Sequence, residues 1–202
     1  AQTFPRWEAL VVDDDPQGSA RSLLEDYQAR DERIRYLFAG GGGVARARNA
    51  GIRASRGKAV AFLDDDDLFL PDKLRLQAQV LVSQPDTALV YGRMQSVNVQ
   101  GQVYNLYPKQ LGYTHAELVR GNFIPISTVV VRRAALEQAG LFDPAFSNCA
   151  DYELWLRVSR CGRLAPIDQV LAIYRRQQDS ISRDILLSRR EKLAIFLRCA
   201  RN

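Results

Sequence analysis

No apolar stretch in this 202-residue chain approaches the ~20 residues that a bilayer crossing needs. The N-terminus lacks a basic segment followed by an apolar core, so neither a membrane span nor a signal peptide is expected. Cysteine is scarce. Cys149, Cys161 and Cys199 are odd in number and lack C-x-x-C spacing, which speaks against a disulfide framework or a cysteine zinc site and sets the expectation of reduced thiols in a cytoplasmic chain. Histidine occurs once, at His115, and is expected at the surface. No internal repeat or low-complexity linker divides the chain, and its length suits one domain. Apolar residues make up 47% and charged residues 25%, ordinary values for a globular protein. The net charge of +5 favours an anionic partner: nucleic acid, a lipid surface or a phosphorylated substrate. The arginines are spread along the chain and the stacked aromatic and basic pattern of RNA-binding modules is missing, so nucleic acid is not an expected partner.

Apolar runs bounded by Gly, Asp or Pro alternate with amphipathic stretches, the signal for an α/β domain built on a mainly parallel sheet. Strands are expected at Ala9–Val12, Ile34–Phe38, Ala59–Leu63 and Ala88–Tyr91. Helices are expected at Ser19–Ala29 and Val44–Arg56, and after Pro71 with Leu74, Leu76 and Leu81. Ala47, Ala50 and Ala54 give the second helix a small face that can lie close on the sheet. Beyond Gly92 the pattern becomes mixed: a hairpin over Gln95–Tyr107, a β-branched strand Ile126–Val131, helices Ala134–Ala139 and Asp151–Arg160, and a strand Pro166–Tyr174. Asp184–Arg201 reads as a basic amphipathic helix with Leu186, Leu193, Ile195, Phe196 and Leu197 as its apolar residues. The chain therefore divides into a domain over 1–182 and a C-terminal helix over 183–202.

Two of the strands run into carboxylates: Asp13, Asp14 and Asp15 after the first, and Asp64, Asp65, Asp66 and Asp67 after Leu63. The crevice outside the carboxyl ends of the strands is where open α/β sheets bind ligands. Four successive aspartates repel one another unless water, a cation or basic side chains neutralise them, and hard oxygen donors suit Mg²⁺ or Mn²⁺. An isolated tetrad of this kind is more often a solvated turn with a helix cap. A metal bridging to a diphosphate is the economical functional explanation.

Taken in order, Gln2-Thr3-Phe4-Pro5, Val11-Val12-Asp13-Asp14, Gly43-Val44-Ala45-Arg46-Ala47-Arg48-Asn49-Ala50-Gly51 and Ala61-Phe62-Leu63-Asp64-Asp65-Asp66-Asp67 resemble family 2 glycosyltransferases. The resemblance continues through Leu70-Pro71-Asp72-Lys73-Leu74, Gly140-Leu141-Phe142-Asp143 and Asp151-Tyr152-Glu153-Leu154-Trp155-Leu156-Arg157, up to about Ser182. It implies a GT-A fold, a Rossmann-like mixed sheet flanked by helices. It also implies transfer of a sugar from a nucleotide-diphospho-sugar, by default UDP-linked, to a saccharide or lipid-linked acceptor hydroxyl with inversion.

Roles follow position by position from that resemblance. Asp14 matches the aspartate that accepts from the nucleotide base, with Asp13 supporting it. Asp64 and Asp66 fall on the outer positions of the D-x-D motif. Asp66 is then the main ligand of Mn²⁺ or Mg²⁺, and Asp64 and Asp65 face ribose or metal. Arg48 matches the arginine of the Ala-Arg-Asn motif, which can pair with an acidic cluster or reach phosphate. Asp151 matches the general base that takes the acceptor's proton; the plainer reading of Asp151 is a helix N-cap above Trp155.

The chain departs from the family pattern in three places. Ala150 stands where a Glu usually precedes the base, and Tyr174-Arg175-Arg176-Gln177 ends in Gln where relatives carry His. The apolar strand that opens family members before the Gln-Thr-Phe motif is missing, so a sheet lacking its first strand is expected. Two other classes compete. One is a catalytically degenerate nucleotide-sugar-binding module. The other is a phosphorelay receiver domain, suggested by Leu10–Pro16 but lacking the Thr-Ala or Ser-Ala and Lys-Pro signals. For the C-terminal helix, contact with an anionic leaflet at the inner face of the membrane stands beside simple packing on the domain with the basic face in water. Without the opening strand these 202 residues are expected to bind donor weakly. Titration of nucleotide with Mn²⁺ checks this, and an affinity equal to that of intact family members contradicts it.

Overall fold

The computed structural model describes residues 1–98, 100–175 and 184–199. The chain opens with β1 (Ala9–Asp13), α1 (Arg21–Arg30) and β2 (Ile34–Phe38), and β1 and β2 pair in parallel from Ala9 opposite Ile34 to Asp13 opposite Phe38. Next comes α2 (Val44–Ala54). It lies so near β1 that a Cβ on Gly51 would stand 3.0 Å from Val12. The expected small face, with Ala47 buried and Ala50 and Ala54 half-buried, is the one that meets β1. The opposite face, with Ala45, Asn49 and Ile52, is buried as well. There the Asn49 amide donates to the Phe142 carbonyl at 2.8 Å and accepts from the Phe142 N–H at 2.9 Å, the partners a buried amide needs.

The remaining strands are β3 (Ala59–Ala61), β4 (Leu68–Phe69), β5 (Thr87–Val97), β6 (Val103–Tyr107), β7 (Val130–Arg132) and β8 (Arg163–Arg175). They form a separate six-stranded sheet of order β3-β7-β5-β8-β4, with β6 also on β5. Only β5 and β8 run in parallel; every other pair is antiparallel. The mixed sheet expected of the fold is found; the parallel pairing expected of the first half holds for β1 and β2, whereas β3 pairs antiparallel with β7 and not with its predecessors. Helix and strand alternate as expected, but alternation does not fix direction. The neighbour of β3 is β7, which arrives some seventy residues later and runs the opposite way.

Helices α3 (Lys73–Ser83), α4 (His115–Arg120), α5 (Arg133–Ala139), α6 (Ala150–Val158) and α7 (Ile185–Cys199) cover the sheet. The expected strand Ile126–Val131 is split into a 3-10 turn, Ile126–Thr128, and the short β7. Pro125 dictates this: its carbonyl accepts from both the N–H and the hydroxyl of Thr128, at 3.0 and 2.7 Å. Lys73, fully buried, braces the turn by donating to Gln77 and to the Val129 carbonyl, and Gln77 donates to the carbonyls of Val90 and Thr128. At the chain start, Gln2 and Thr3 bind the backbone of Leu70, Pro71 and Leu74 around the start of α3.

The core centres on Trp155, fully buried, against Phe62 and Phe142, with ring centroids 5.9 and 6.3 Å away. α7 docks beside it. The Glu191 carboxylate accepts the N–H groups of Ser147, Asn148 and Cys149 at 2.7, 2.9 and 2.7 Å, and Ile195 is buried under it. Arg198 adds an exposed ion pair to Asp143. Three charge-assisted bonds, one of them to the buried Cys149 N–H, outweigh an exposed pair, because that donor has no water to fall back on. Glu191→Ala is therefore expected to cost about 1–3 kcal/mol in urea unfolding and Arg198→Ala under about 1 kcal/mol. Equal losses would contradict this ranking.

Candidate active site

The carboxyl end of β1 turns sharply, and Asp13 holds the turn. One of its oxygens accepts from the Asp15 N–H, the other from the Ala20 N–H and the Tyr36 hydroxyl, all at 3.0–3.1 Å. Asp13 is buried and spent on structure. Asp14 follows it outward. Its Oδ2 accepts the Gly43 N–H at 2.8 Å, at the start of α2, and its buried Oδ1 has no partner. Gly43 has φ +86, a conformation side chains resist, which is why glycine ends this run.

One turn along α2, Arg48 reaches across to Asp64, Nη2 to Oδ1 at 2.6 Å, with its guanidinium over the Phe142 ring at 5.5 Å. The four aspartates after β3 fold into a tight turn closed by the Asp67 N–H on the Asp64 carbonyl at 3.0 Å. The Asp64 N–H donates to the Ser127 hydroxyl at 3.3 Å, and Arg175 Nε donates to the Asp66 carbonyl at 2.6 Å. Asp65 is exposed and Asp66 half-buried. Burial, and then the charges of Asp65 and Asp64, push the Asp66 carboxyl above its ordinary range against the pull of its own N–H and Arg175. Asp67 is 6% exposed, its Oδ1 has no partner, and burial lifts it to about 6 despite the Ser127 hydroxyl.

Asp151 stands in the first turn of α6, one residue inside its start, so the plainer N-cap reading is not met. Its Oδ1 accepts the Tyr152 N–H at 2.7 Å and its Oδ2 the Asn122 amide at 3.3 Å. Burial raises its pKa; the Tyr152 N–H, Arg48 and Asn122 oppose that, and the charge of Asp64 adds to it. Asp64 thus acts on both Asp66 and Asp151. Arg48 pairs with Asp64 and its charge also acts on Asp151, and the packed rings of Phe62, Phe142 and Trp155 tie the two segments together, so the acidic turn and the start of α6 are neighbours.

Sequence reasoning missed Asn122, Ser127 and Tyr107, whose hydroxyl donates to the Asn122 carbonyl. None of them lies in a motif with chemistry of its own. Ala150 is buried at the start of α6, where Glu191 brings a carboxylate from another helix. His115 is half-buried with Nδ1 2.8 Å from the Ser159 hydroxyl, not on the surface as expected, and stands apart from the acidic residues described above. Gln177 lies outside the described residues.

Among the described residues, no three acidic, histidine or cysteine side chains converge as a cation cage. Mg²⁺ and Mn²⁺ in nucleotide sites take one or two carboxylates and complete their shell with substrate phosphate and water. A turn holding a free, unpartnered Asp67 oxygen and an Asp66 carboxyl raised by its neighbours fits that smaller demand.

A model of glycosyl transferase family 2 matches residues 1–139. The UDP-Glc:alpha-D-GlcNAc-diphosphoundecaprenol beta-1,3-glucosyltransferase WfgD of Escherichia coli is 31% identical, over 90% of this chain and 70% of its own. The putative teichuronic acid biosynthesis glycosyltransferase TuaG of Bacillus subtilis is 30% identical, over 90% and 72%. In structure, S. aureus TarS 1-349 in complex with UDP-GlcNAc matches with TM-score 0.72 at 17% identity, over 91% of this chain and 54% of that one. The chain thus spans about half the length of that solved structure, and the fold is the GT-A fold that the motifs implied.

The raised carboxyl of Asp67 has a consequence for stability. Between the ordinary 3.8 and about 6 the native protein binds this proton more tightly than the unfolded chain, so stability falls as pH rises through that window and stays lower above it. In chelator, Asp67→Asn is expected to flatten this dependence and to gain about 1–3 kcal/mol at neutral pH. Parallel urea-stability curves for the two proteins would contradict the assignment.

Proposed function

Since the chain belongs to glycosyl transferase family 2, we propose that it moves a sugar from a UDP-linked donor to an acceptor hydroxyl with inversion, Asp151 serving as general base. The observation that supports this is the Arg48–Asp64 pair, together with the ring packing of Phe142 on both Phe62 and Trp155, which joins the acidic turn to the helix that carries Asp151. Asp14 would accept from the nucleotide base, a role its unpartnered Oδ1 supports, and Asp13 fixes the turn that carries it. Exposed Asp65 stands toward the ribose. Asp66, with Asp64, would hold Mn²⁺ or Mg²⁺, which when bound stabilises the charge that develops on the departing diphosphate.

Asp151 works on the other side. An acceptor hydroxyl that attacks opposite the diphosphate loses its proton to a carboxylate within hydrogen-bond reach as the new bond forms. A carboxyl raised by burial is a stronger base than a solvated one, and Arg48 with the Tyr152 N–H keeps its ionised form accessible. Asn122 aims it. The nucleotide is supported by relatives: WfgD is named for UDP-Glc and TarS was solved with UDP-GlcNAc. A lipid-linked diphosphate sugar as acceptor rests on the name of WfgD alone. The antiparallel pairing of β3, β5 and β7 disfavours the receiver alternative, whose flavodoxin-like sheet is parallel.

Asp151→Asn is expected to lower nucleoside diphosphate release from UDP-glucose or UDP-N-acetylglucosamine by about 10²–10⁴-fold. UDP binding with Mn²⁺, followed by calorimetry, should stay unchanged. The wild-type rate should fall on the acid side at a pH above the ordinary carboxylate range, because the base must be ionised and its pKa is raised. A variant as fast as wild type would remove Asp151 from the mechanism.

A further inference from the structure

The sequence leaves two readings of α7 open, contact with an anionic leaflet and packing on the domain with the basic face in water. The structure turns most of its leucines outward. The inward face is held by Glu191 and Ile195, 6% and 2% exposed, while Leu186, Leu193 and Leu197 are 69%, 61% and 53% exposed. Spaced seven and four residues apart, these three leucines form one stripe along the helix, on the side opposite Glu191 and Ile195. Arg189 borders the stripe on one side, with exposed Phe196, Ile185 and Lys192 beyond it, and Arg190 borders it on the other; the only acidic residue of the helix, Glu191, is buried on the far face.

An apolar stripe bounded by cations alone is complementary to one surface chemistry, an apolar layer beneath anions. We propose that α7 lays this face on an anionic membrane surface, its leucines entering the acyl boundary and its arginines pairing with lipid phosphates. The helix lies flat, because its 15 residues reach only about 22 Å and no helix of the described residues is long and apolar enough to cross a bilayer. The inward face fixes what such docking carries with it. Glu191 binds the backbone of residues 147–149, just before Asp151, so a membrane-bound α7 holds the start of α6 close to the lipid surface. The inference rests on α7 alone and stands whether or not Asp151 is the base.

The test is co-sedimentation of the 202-residue chain with vesicles of phosphatidylcholine, with and without phosphatidylglycerol as the minority lipid. Binding is expected to be at least about tenfold greater on the anionic vesicles and to weaken with salt. Leu193→Glu/Leu197→Glu should abolish it without changing the unfolding temperature, since both side chains are exposed. Arg189→Glu/Arg190→Glu, which leaves the leucines in place, should remove the preference for anionic lipid and serves if the first variant fails to fold. Binding that ignores lipid charge, or survives both double substitutions, overturns the proposal. So does concentration-dependent self-association that Leu193→Glu/Leu197→Glu abolishes in a chain that binds no vesicles, which would assign the face to a second copy.

Discussion

Four carboxylates in one turn are the constraint around which this site is organised. Unit charges a few ångströms apart repel by about 1 kcal/mol in water and by several times that where protein displaces water. The chain answers in three ways. Arg48 neutralises Asp64, Asp65 is left in solvent, and Asp67 is buried where its proton is retained up to about 6. Only Asp66 stays both accessible and poorly compensated, and Arg175 touches its carbonyl, not its carboxylate. The protein thus leaves one strong demand for positive charge at the turn, and the proposed function assigns that place to a cation carried in with a diphosphate.

Arg48 can serve this purpose because of what lies beneath it. Phe142 supports the guanidinium from below, and Phe142 is itself fixed by the two-way bond between its backbone and Asn49, one residue beyond Arg48 on α2. A lysine at position 48 could carry the charge but not the planar stacking, so the pair with Asp64 would lose its fixed direction. The same aromatic ring packs on Phe62, two residues before Asp64, and on Trp155, one turn after Asp151. Packing and electrostatics therefore set the same geometry. The ring cluster fixes the spacing between the acidic turn and α6, and the charges lie across its upper edge.

The residues that carry charge were legible because carboxylates at strand ends, glycine before α2 and arginine one turn into it each have a physical reason to stand there. Strand direction was not. Alternating helices and strands read the same whether the returning strand runs up or down, and β3 finds its partner in β7 only through contacts that the intervening chain conceals. Ser127 escaped because the β-branched run Ile126–Val131 looks extended, while Pro125 offers its carbonyl to Thr128 and closes a turn instead. α4 could have been found: Thr114 and Glu117 form a reciprocal capping box, a spacing visible in the sequence. Asn122 could not, since its value lies in standing 3.3 Å from a carboxylate twenty-nine residues away.

α7 shows why amphipathic pattern and burial can part company. A helix with apolar residues on most of its circumference does not declare which side is core, and the choice falls to whichever side satisfies buried polar groups. The start of α6 has no side-chain cap of its own. If a leucine faced the three backbone N–H groups just ahead of Asp151, the buried one of Cys149 would lie without an acceptor and those of Ser147 and Asn148 would lose a charged one. Glu191 faces them instead, and rotating the helix to bring it there carries Leu186, Leu193 and Leu197 to the outside. The outward apolar stripe is therefore a consequence of how the helix that carries Asp151 is held, and the two features cannot be altered separately without turning α7 on its axis.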